Sequence, residues 1–289
     1  MRILLIHGEG LGNIVQALPL ICTLEKAGHK IDVFLTGTCF DAPVSLFGNQ
    51  RVFTDDSEIN VSEYDGKIVT VWANVKYKGK KLDGLRRLNI IGQMSVARSE
   101  VEVYLDSARE LGIKDFTWNC KDNIACEPGE SYDVVLSNGY NWRGDPIWKY
   151  KQYAHYPEVV QMLKADGLRV CSIGAEREYV EGTSNETEKG LKHTLGLIAS
   201  AGIMLTNDSG FYHCAAALRV PTLVIFTFTS VKKNYDNRFH ETVKVLKRDD
   251  LPCQADCHAT LRVRKCQNNF ACQDISAEKV YSNIRLVLK

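Results

Sequence analysis

Arg2-Ile3-Leu4-Leu5-Ile6-His7-Gly8-Glu9-Gly10-Leu11-Gly12-Asn13 begins as an unbroken apolar run and ends among closely spaced glycines. A short run that is apolar without alternation is the pattern of a strand covered on both faces. Behind it, Ile14, Leu18, Ile21, Cys22 and Leu24 recur at helical spacing as far as Ala27-Gly28. Asn13 is placed to cap that helix and Gly28 to stop it. Lys30 to Leu35 reads as a second strand. Strand, glycine loop, helix and strand within about 35 residues make a βαβ unit, and such units build parallel sheets.

The alternation continues outward. A strand is expected at Lys67 to Trp72 and a helix from Arg98 to Leu111, stopped at Gly112. Lys121 to Ser131, with Glu127-Pro128-Gly129-Glu130, has the turn chemistry of a linker. Beyond it the pattern predicts a strand at Tyr132 to Leu136, a helix at Tyr153 to Ala165, a strand at Leu168 to Ile173 and a helix at Glu186 to Ala201. A strand at Ile203 to Leu205, a helix at Ser209 to Leu218 and a strand at Thr222 to Phe226 follow. Two successive α/β halves, 1–127 and 128–289, account for this order.

The chain has 289 residues, 45% hydrophobic and 25% charged, which excludes disordered and collagen-like classes. Its 36 basic residues nearly balance 35 acidic ones, so any contact with a polyanion must be local. One segment supplies such a site: Lys76, Lys78, Lys80, Lys81, Arg86 and Arg87 face a single acid, Asp83. The segment is either a solvated loop or a dock for an anionic acceptor. No apolar run approaches the ~20 residues of a membrane span, and the N-terminal run is too short for a signal peptide, so no membrane insertion and a cytoplasmic location are expected. Six of the ten cysteines, Cys22, Cys39, Cys120, Cys126, Cys171 and Cys214, are scattered and read as buried small hydrophobes. Cys253, Cys257, Cys266 and Cys272 stand apart as a group. Four thiolates suit tetrahedral zinc, but their intervals do not match a regular zinc ribbon, so reduced thiols without metal are the alternative.

Three loops carry candidate chemistry. The first, Gly8 to Asn13, lacks the ending of a P-loop and the third glycine of the dinucleotide fingerprint. It offers free amides at a helix N-terminus, suited to a phosphate, or it is simply a tight turn. The second, Thr206-Asn207-Asp208-Ser209-Gly210-Phe211-Tyr212-His213, lies at the carboxyl end of a buried strand, where open α/β sheets bind ligands. Asp208 as a helix cap explains only one residue of that cluster. The third, Ile173-Gly174-Ala175-Glu176-Arg177-Glu178, again follows a strand and presents carboxylates able to accept from a ribose diol.

These residues resemble glycosyltransferase family 9, the ADP-heptose lipopolysaccharide heptosyltransferases and their relatives. The resemblance rests on Gly10-Leu11-Gly12-Asn13 with Ala17-Leu18-Pro19-Leu20, and on Leu197 to Gly202 leading into Thr206 to Gly210 with His213 and Ala215-Ala216-Ala217. The closing Cys272-Gln273-Asp274-Ile275-Ser276 completes it. It implies a GT-B architecture: two Rossmann-like domains with parallel sheets facing a central cleft, the N-terminal one for acceptor and the C-terminal one for a nucleotide-sugar donor. It implies donor contacts from Asp208, Ser209, Gly210 and His213, and ribose contacts from Glu176 or Glu178. Lys149 or Lys151, beside Trp148 and Tyr153, stands in for the family's phosphate-binding lysine. Of the family's Phe-Gly-Pro-Thr turn, Phe226-Thr227-Phe228-Thr229 keeps the hydroxyl of Thr229. Acceptor contacts fall to Gly10, Gly12 and the basic segment. No cofactor is required.

The departure is Asn13, where heptosyltransferases commonly carry an aspartate regarded as the catalytic base. An amide cannot take the proton that inverting transfer removes from the acceptor hydroxyl. Glu9 is the replacement candidate, with His7 second. The expected activity is inverting sugar transfer from a nucleotide-diphosphate sugar to an anionic acceptor, lipopolysaccharide core by family. Transfer to a protein or a modified nucleic-acid base stays open. So do a sugar-nucleotide-binding module without catalysis and a nucleic-acid-binding protein built around the four cysteines.

Overall fold

The computed structural model describes residues 1–8, 10–36, 46–76, 81–141, 144–251, 253, 257–258 and 262–288. The chain divides into two compact units, Met1–Ala125 and Cys126–Lys289.

In the first unit β1 (Arg2–Gly8), β2 (Lys30–Thr36), β3 (Val52–Phe53) and β4 (Gly66–Val69) form a parallel sheet in the order β3-β2-β1-β4. β1 lies inside the sheet because Ile3 to Ile6 are all apolar and fully buried. The helix after it starts earlier than its pattern suggested. Gly10, in extended conformation, is the N-cap of α1 (Leu11–Gln16), and Asn13 lies within the helix. A break at Ala17 separates α2 (Leu18–Lys26), since Pro19 has no N–H to continue the hydrogen-bond ladder. Trp72, expected in a strand, lies in α3 (Val71–Lys76). The run Ile68 to Trp72 contains no glycine or proline to mark where strand gives way to helix. α4 (Glu100–Glu110) is capped by Ser99. Leu4, Ile6, Phe34, Phe53, Val69 and Leu82 share one core.

In the second unit six parallel strands run in the order β10-β9-β8-β5-β6-β7. They are β5 (Val134–Ser137), β6 (Val170–Gly174), β7 (Ser184–Thr187), β8 (Ile203–Asn207), β9 (Thr222–Ile225) and β10 (Val243–Leu246). α5 (Tyr156–Ala165), α6 (Gly190–Ala199), α7 (Gly210–Ala217), α8 (Val231–Asn234) and a C-terminal helix, Ala277–Val287, accompany them. Glu186 belongs to β7 and does not open a helix; among the described residues β7 pairs only with β6, and an edge strand tolerates the polar sequence Ser184 to Thr187. β10 and the C-terminal helix are additions to the expected elements, and Val280 and Ile284 pack with Val159 and Leu163 of α5. Cys22, Cys120, Cys171 and Cys214 are buried as expected, Cys126 is half-buried, and Cys39 lies outside the described residues. Among the described residues no helix is long and apolar enough to cross a membrane.

Both sheets reverse strand order beside a central strand, the first between β1 and β4 and the second between β5 and β8. The carboxyl ends of strands flanking such a reversal form a crevice that accepts ligands.

Candidate functional sites of the two units

At the reversal in the second unit, β5 ends in Ser137 and β8 in Asn207, with Ser137 paired to Thr206 in register. Ser137 Oγ and Asn207 Oδ1 are buried and have no hydrogen-bond partner among the described residues. Asn207 Nδ2 donates to Gly139 O at 2.6 Å, which fixes the amide. Unpartnered polar atoms are costly to bury, so their gathering at one strand end points to a ligand.

Asp208 follows directly. It is only 2% exposed and does not cap α7, whose N-cap Ser209 makes no side-chain cap bond either. Its Oδ2 lies 3.1 Å from Lys151 Nζ and accepts from Asn234 Nδ2 at 2.9 Å. Burial alone would raise its pKa; the Lys151 ammonium reverses that and holds the carboxyl below its ordinary value, with help from the Thr229 hydroxyl and His258. Thr229 Oγ1 is itself buried without a full hydrogen bond. Lys151 ends the 3-10 turn Pro146–Lys151, which Asp145 caps, and its ammonium sits 5.0 Å over the Trp148 ring. Lys149 is exposed and lies over Tyr150, so Lys151 is the lysine aimed at Asp208.

His213 is buried, with Nδ1 2.9 Å from His240 Nε2. His240 Nδ1 lies 3.0 Å from Asp236 N and 3.1 Å from Asp236 O, so the ring is anchored at both nitrogens. Burial lowers both pKa values, that of His240 to about 4. The pair is neutral at pH 7 and supports α7 from within the core.

Of the two glutamates after β6, Glu176 is exposed, while Glu178 is buried and packed under glycines. A Cβ at Gly139 would come within 2.8 Å of Glu178 Oε2, and one at Gly174 would collide with the same oxygen. Burial pushes Glu178 up to about 7, against the opposing effect of the Ala175 and Tyr140 amides. A carboxylate whose folded pKa lies above its unfolded value favours the fold at low pH and loses that contribution as pH rises. Glu178→Gln is therefore expected to stabilise the chain by about 2 kcal/mol at pH 8 and to be near neutral at pH 4.5, as read by urea denaturation at both pH values. Beside Glu178, Asn138, Tyr153, Tyr179 and Gln273 border an open depression of about 450 Å³.

At the reversal in the first unit, His7 of β1 is buried. Its Nδ1 lies 2.7 Å from Thr70 Oγ1 and its Nε2 3.0 Å from Asn13 O. Asn13 donates from Nδ2 to Glu100 Oε1 at 2.6 Å. The same oxygen accepts from Trp72 Nε1 at 2.9 Å and from Tyr104 Oη at 2.5 Å. Glu100, the first residue of α4, is fully buried.

Residues 146–266 match the family model described as glycosyltransferase family 9 (heptosyltransferase). The matched stretch lies within the second unit. Solved structures of similar fold extend the likeness over the whole chain. ADP-heptose lipopolysaccharide heptosyltransferase II of E. coli superposes with a TM-score of 0.68 at 18% identity, over 100% of this chain and 98% of that one. A family 9 glycosyl transferase from Veillonella parvula gives 0.66 at 15%, over 99% and 97%. E. coli heptosyltransferase WaaC with ADP-2-deoxy-2-fluoro heptose gives 0.63 at 16%, over 99% of each chain. The two parallel α/β sheets are thus those of GT-B heptosyltransferase structures. No curated protein sequence matches the chain.

Within the second unit, Asp208, Ser209, Gly210, Lys151 and Thr229 gather at one strand-end cluster, while Lys149 and Glu176 point to solvent. In the first unit both ring nitrogens of His7 are engaged inside the unit, by Thr70 and Asn13. Asn13 is corrected as a cap, because its amide is held by Glu100. Glu9, Lys78 and Lys80, and the side chain of Lys76, lie outside the described residues. Lys81 Nζ donates to Asp56 O at 2.7 Å and Ser57 O at 2.8 Å, a local anchor; Arg86 and Arg87 are exposed. Gly10 and Gly12 keep their places at the start of α1. The residue that sequence reasoning missed is Glu100. Its helical face, with Val101, Tyr104, Leu105 and Ala108, is otherwise buried and free of charge.

Proposed function

We propose that the protein is an inverting glycosyltransferase that takes its sugar from a nucleoside-diphosphate sugar, ADP-heptose foremost, and passes it to a hydroxyl of an anionic acceptor. The observation that carries this reading is the Lys151–Asp208 pair set among unpartnered buried polar atoms at the strand reversal of the second unit, where the family 9 model matches. In this reading the Lys151 ammonium and the amides opening α7 stabilise the departing diphosphate, where negative charge grows during transfer. Glu178, ionised, accepts from the ribose diol. Glu9 takes the proton from the acceptor hydroxyl, since Asn13 cannot and His7 is engaged. The fold relatives' lipopolysaccharide acceptors make a lipopolysaccharide core the first acceptor to try, with Arg86 and Arg87 as exposed cations, and a cytoplasmic site of action goes with such a donor.

A panel of ADP-, GDP- and UDP-sugars tests the donor by thermal stabilisation. A ligand at a hundredfold its Kd adds about 2.7 kcal/mol, so the correct donor is expected to raise Tm by several degrees and the wrong bases not at all. Equal, negligible shifts with every donor at saturation would defeat the reading. The amide at Asn13 favours one rival, a module that binds the donor without transfer; it predicts the same shift but no release of nucleoside diphosphate with any acceptor.

A further inference from the structure

The grouped cysteines Cys253, Cys257, Cys266 and Cys272 are reduced, and among the described residues no three metal-ligating side chains are gathered. A ligand-sized feature of the same unit is built of amides instead. The open depression of about 450 Å³ beside Glu178 is bordered by Asn138, Gln152 and Gln273, all half-buried. Lys151, Asp208, Ser209 and Thr229 do not border it, so it is separate from the strand-end cluster. Its volume lies within the ~300–1,000 Å³ of small-molecule sites.

Each of the three amides is fixed through one half of its side chain and keeps the other half unused. Tyr153 N donates to Asn138 Oδ1 at 3.3 Å, so Asn138 retains Nδ2 as a donor. Gln152 Nε2 donates to Asn138 O at 2.9 Å, and Gln273 Nε2 donates to Tyr150 O and Gln152 O, both at 3.1 Å, so each glutamine retains Oε1 as an acceptor. A backbone N–H only donates and a backbone carbonyl only accepts, which settles the way each amide faces. The retained atoms, one donor and two acceptors, make no hydrogen bond among the described residues.

Two carbonyl acceptors oppose an anion, and an N–H donor opposes a cation. The charged side chains on the rim, Lys149 and Glu181, are one of each sign. The ligand that fits is neutral and carries groups able both to donate and to accept, as hydroxyls do. The aromatic residues narrow the class further. Tyr150 is stacked on Phe270 with ring centroids 4.1 Å apart, and Tyr153 is fully buried. Tyr179, 40% exposed, offers a single open ring, where a flat heterocycle would call for an apolar surface on each of its faces. A pyranose needs only one such ring: its C–H face packs there while its hydroxyls point outward around its edge.

We propose that this depression binds one neutral pyranose, its C–H face on Tyr179 and its hydroxyls shared among Asn138 Nδ2, Gln152 Oε1 and Gln273 Oε1. The pyranose is either the sugar of a nucleotide donor or a residue of a separate glycan, and the chemistry that recognises it is the same. The subsite is built from the second unit's own residues and its occupation requires no sugar transfer.

The full chain, titrated with the methyl glycosides of glucose, galactose, mannose and N-acetylglucosamine and followed by its NMR resonances, is expected to bind at least one of them saturably, with the Asn138 side-chain NH2 among the signals that move. Inorganic phosphate should leave that signal in place. Tyr179→Ala and Asn138→Ala are each expected to weaken the glycoside about fivefold or more, and Tyr179→Phe, which keeps the ring, to bind as the parent does. Competition separates the two sources. A nucleotide sugar that displaces the glycoside while its free nucleoside diphosphate does not would assign the pyranose to the donor; glycoside binding indifferent to both would assign it to a separate glycan. Displacement by the nucleoside diphosphate would merge the depression with the nucleotide site and overturn the proposal. So would the absence of saturable binding across the panel, a phosphate-induced shift of the Asn138 NH2, or parent-like affinity in both alanine variants. Where a variant fails to fold, the titration of the parent chain still decides.

Discussion

Lys151→Met is expected to destabilise the second unit by about 3–5 kcal/mol, because it removes the principal cation from a buried carboxylate. Asp208 is buried, and of what remains the Asn234 amide and the Thr229 hydroxyl supply only dipoles, while His258 offsets the least of the charge. For a unit of this size the loss corresponds to a fall in Tm on the order of 10 °C at neutral pH. The sign of the pH dependence follows from the pKa. In the parent chain Asp208 titrates below its unfolded value, so its contribution is present above that value and is lost as pH falls through the lower folded one. In Lys151→Met burial acts without its counterion, the folded pKa moves above the unfolded one, and the variant becomes relatively more stable as the medium is acidified. Lys151→Met/Asp208→Asn, with the charge removed on both sides, is expected to recover most of the stability at pH 7 while donor binding stays lost. Full donor-dependent stabilisation in that double variant would show that Lys151 is structural only. Equal stability of the single and double variants would show that Asp208 is solvated.

The parts of the fold legible in the sequence are those where burial on two faces demands uninterrupted apolar residues and where glycine must follow. Ile3 to Ile6, Val134 to Leu136 and Thr222 to Ile225 satisfy this and sit inside their sheets. β7 was read as the start of a helix because an edge strand may be polar, and Ser184-Asn185-Glu186-Thr187 carries no apolar alternation. Trp72 was placed in a strand because helix and strand share the same apolar run. The donor-type site was legible as a cluster, since polar residues stacked behind a buried strand have few structural uses. Its pairing was not. Whether Lys149 or Lys151 meets Asp208, and whether Glu176 or Glu178 is buried, depends on which side of a single turn faces inward, and neighbouring residues of the same type give no signal of that. Glu100 was illegible for a different reason: its partner Asn13 lies 87 positions away, and an acid at a helix start already has a sufficient explanation in the helix dipole.

That contact bears on the proton acceptor. Asn13→Asp, the substitution that would install the family's aspartate, is expected to fail as a gain of function and to cost about 2–4 kcal/mol at pH 8. Asn13 donates to a Glu100 oxygen at 2.6 Å, so the new carboxylate would face a fully buried one at hydrogen-bond distance, and the two cannot both ionise. One proton would be shared, with its apparent pKa raised above the ordinary carboxylate range. A raised folded pKa means that the lost stability returns as pH falls below it, and denaturation measured from pH 8 to pH 5 should trace that recovery. Asn13→Asp/Glu100→Gln removes the repulsion and is expected to regain the electrostatic part of the loss at pH 8. The chemistry separates in the same set of variants. If Glu9 accepts the proton, Glu9→Gln lowers kcat by about 10²-fold or more with little change in donor KM, and Asn13→Asp does not rescue it, because its carboxyl is committed to Glu100. Wild-type turnover in Glu9→Gln would remove that assignment. Rescue of Glu9→Gln by Asn13→Asp/Glu100→Gln would place the reacting hydroxyl beside position 13, and the native pair of Asn13 and Glu100 would then be an exchange of amide and carboxylate that moved the charge one contact deeper into the unit.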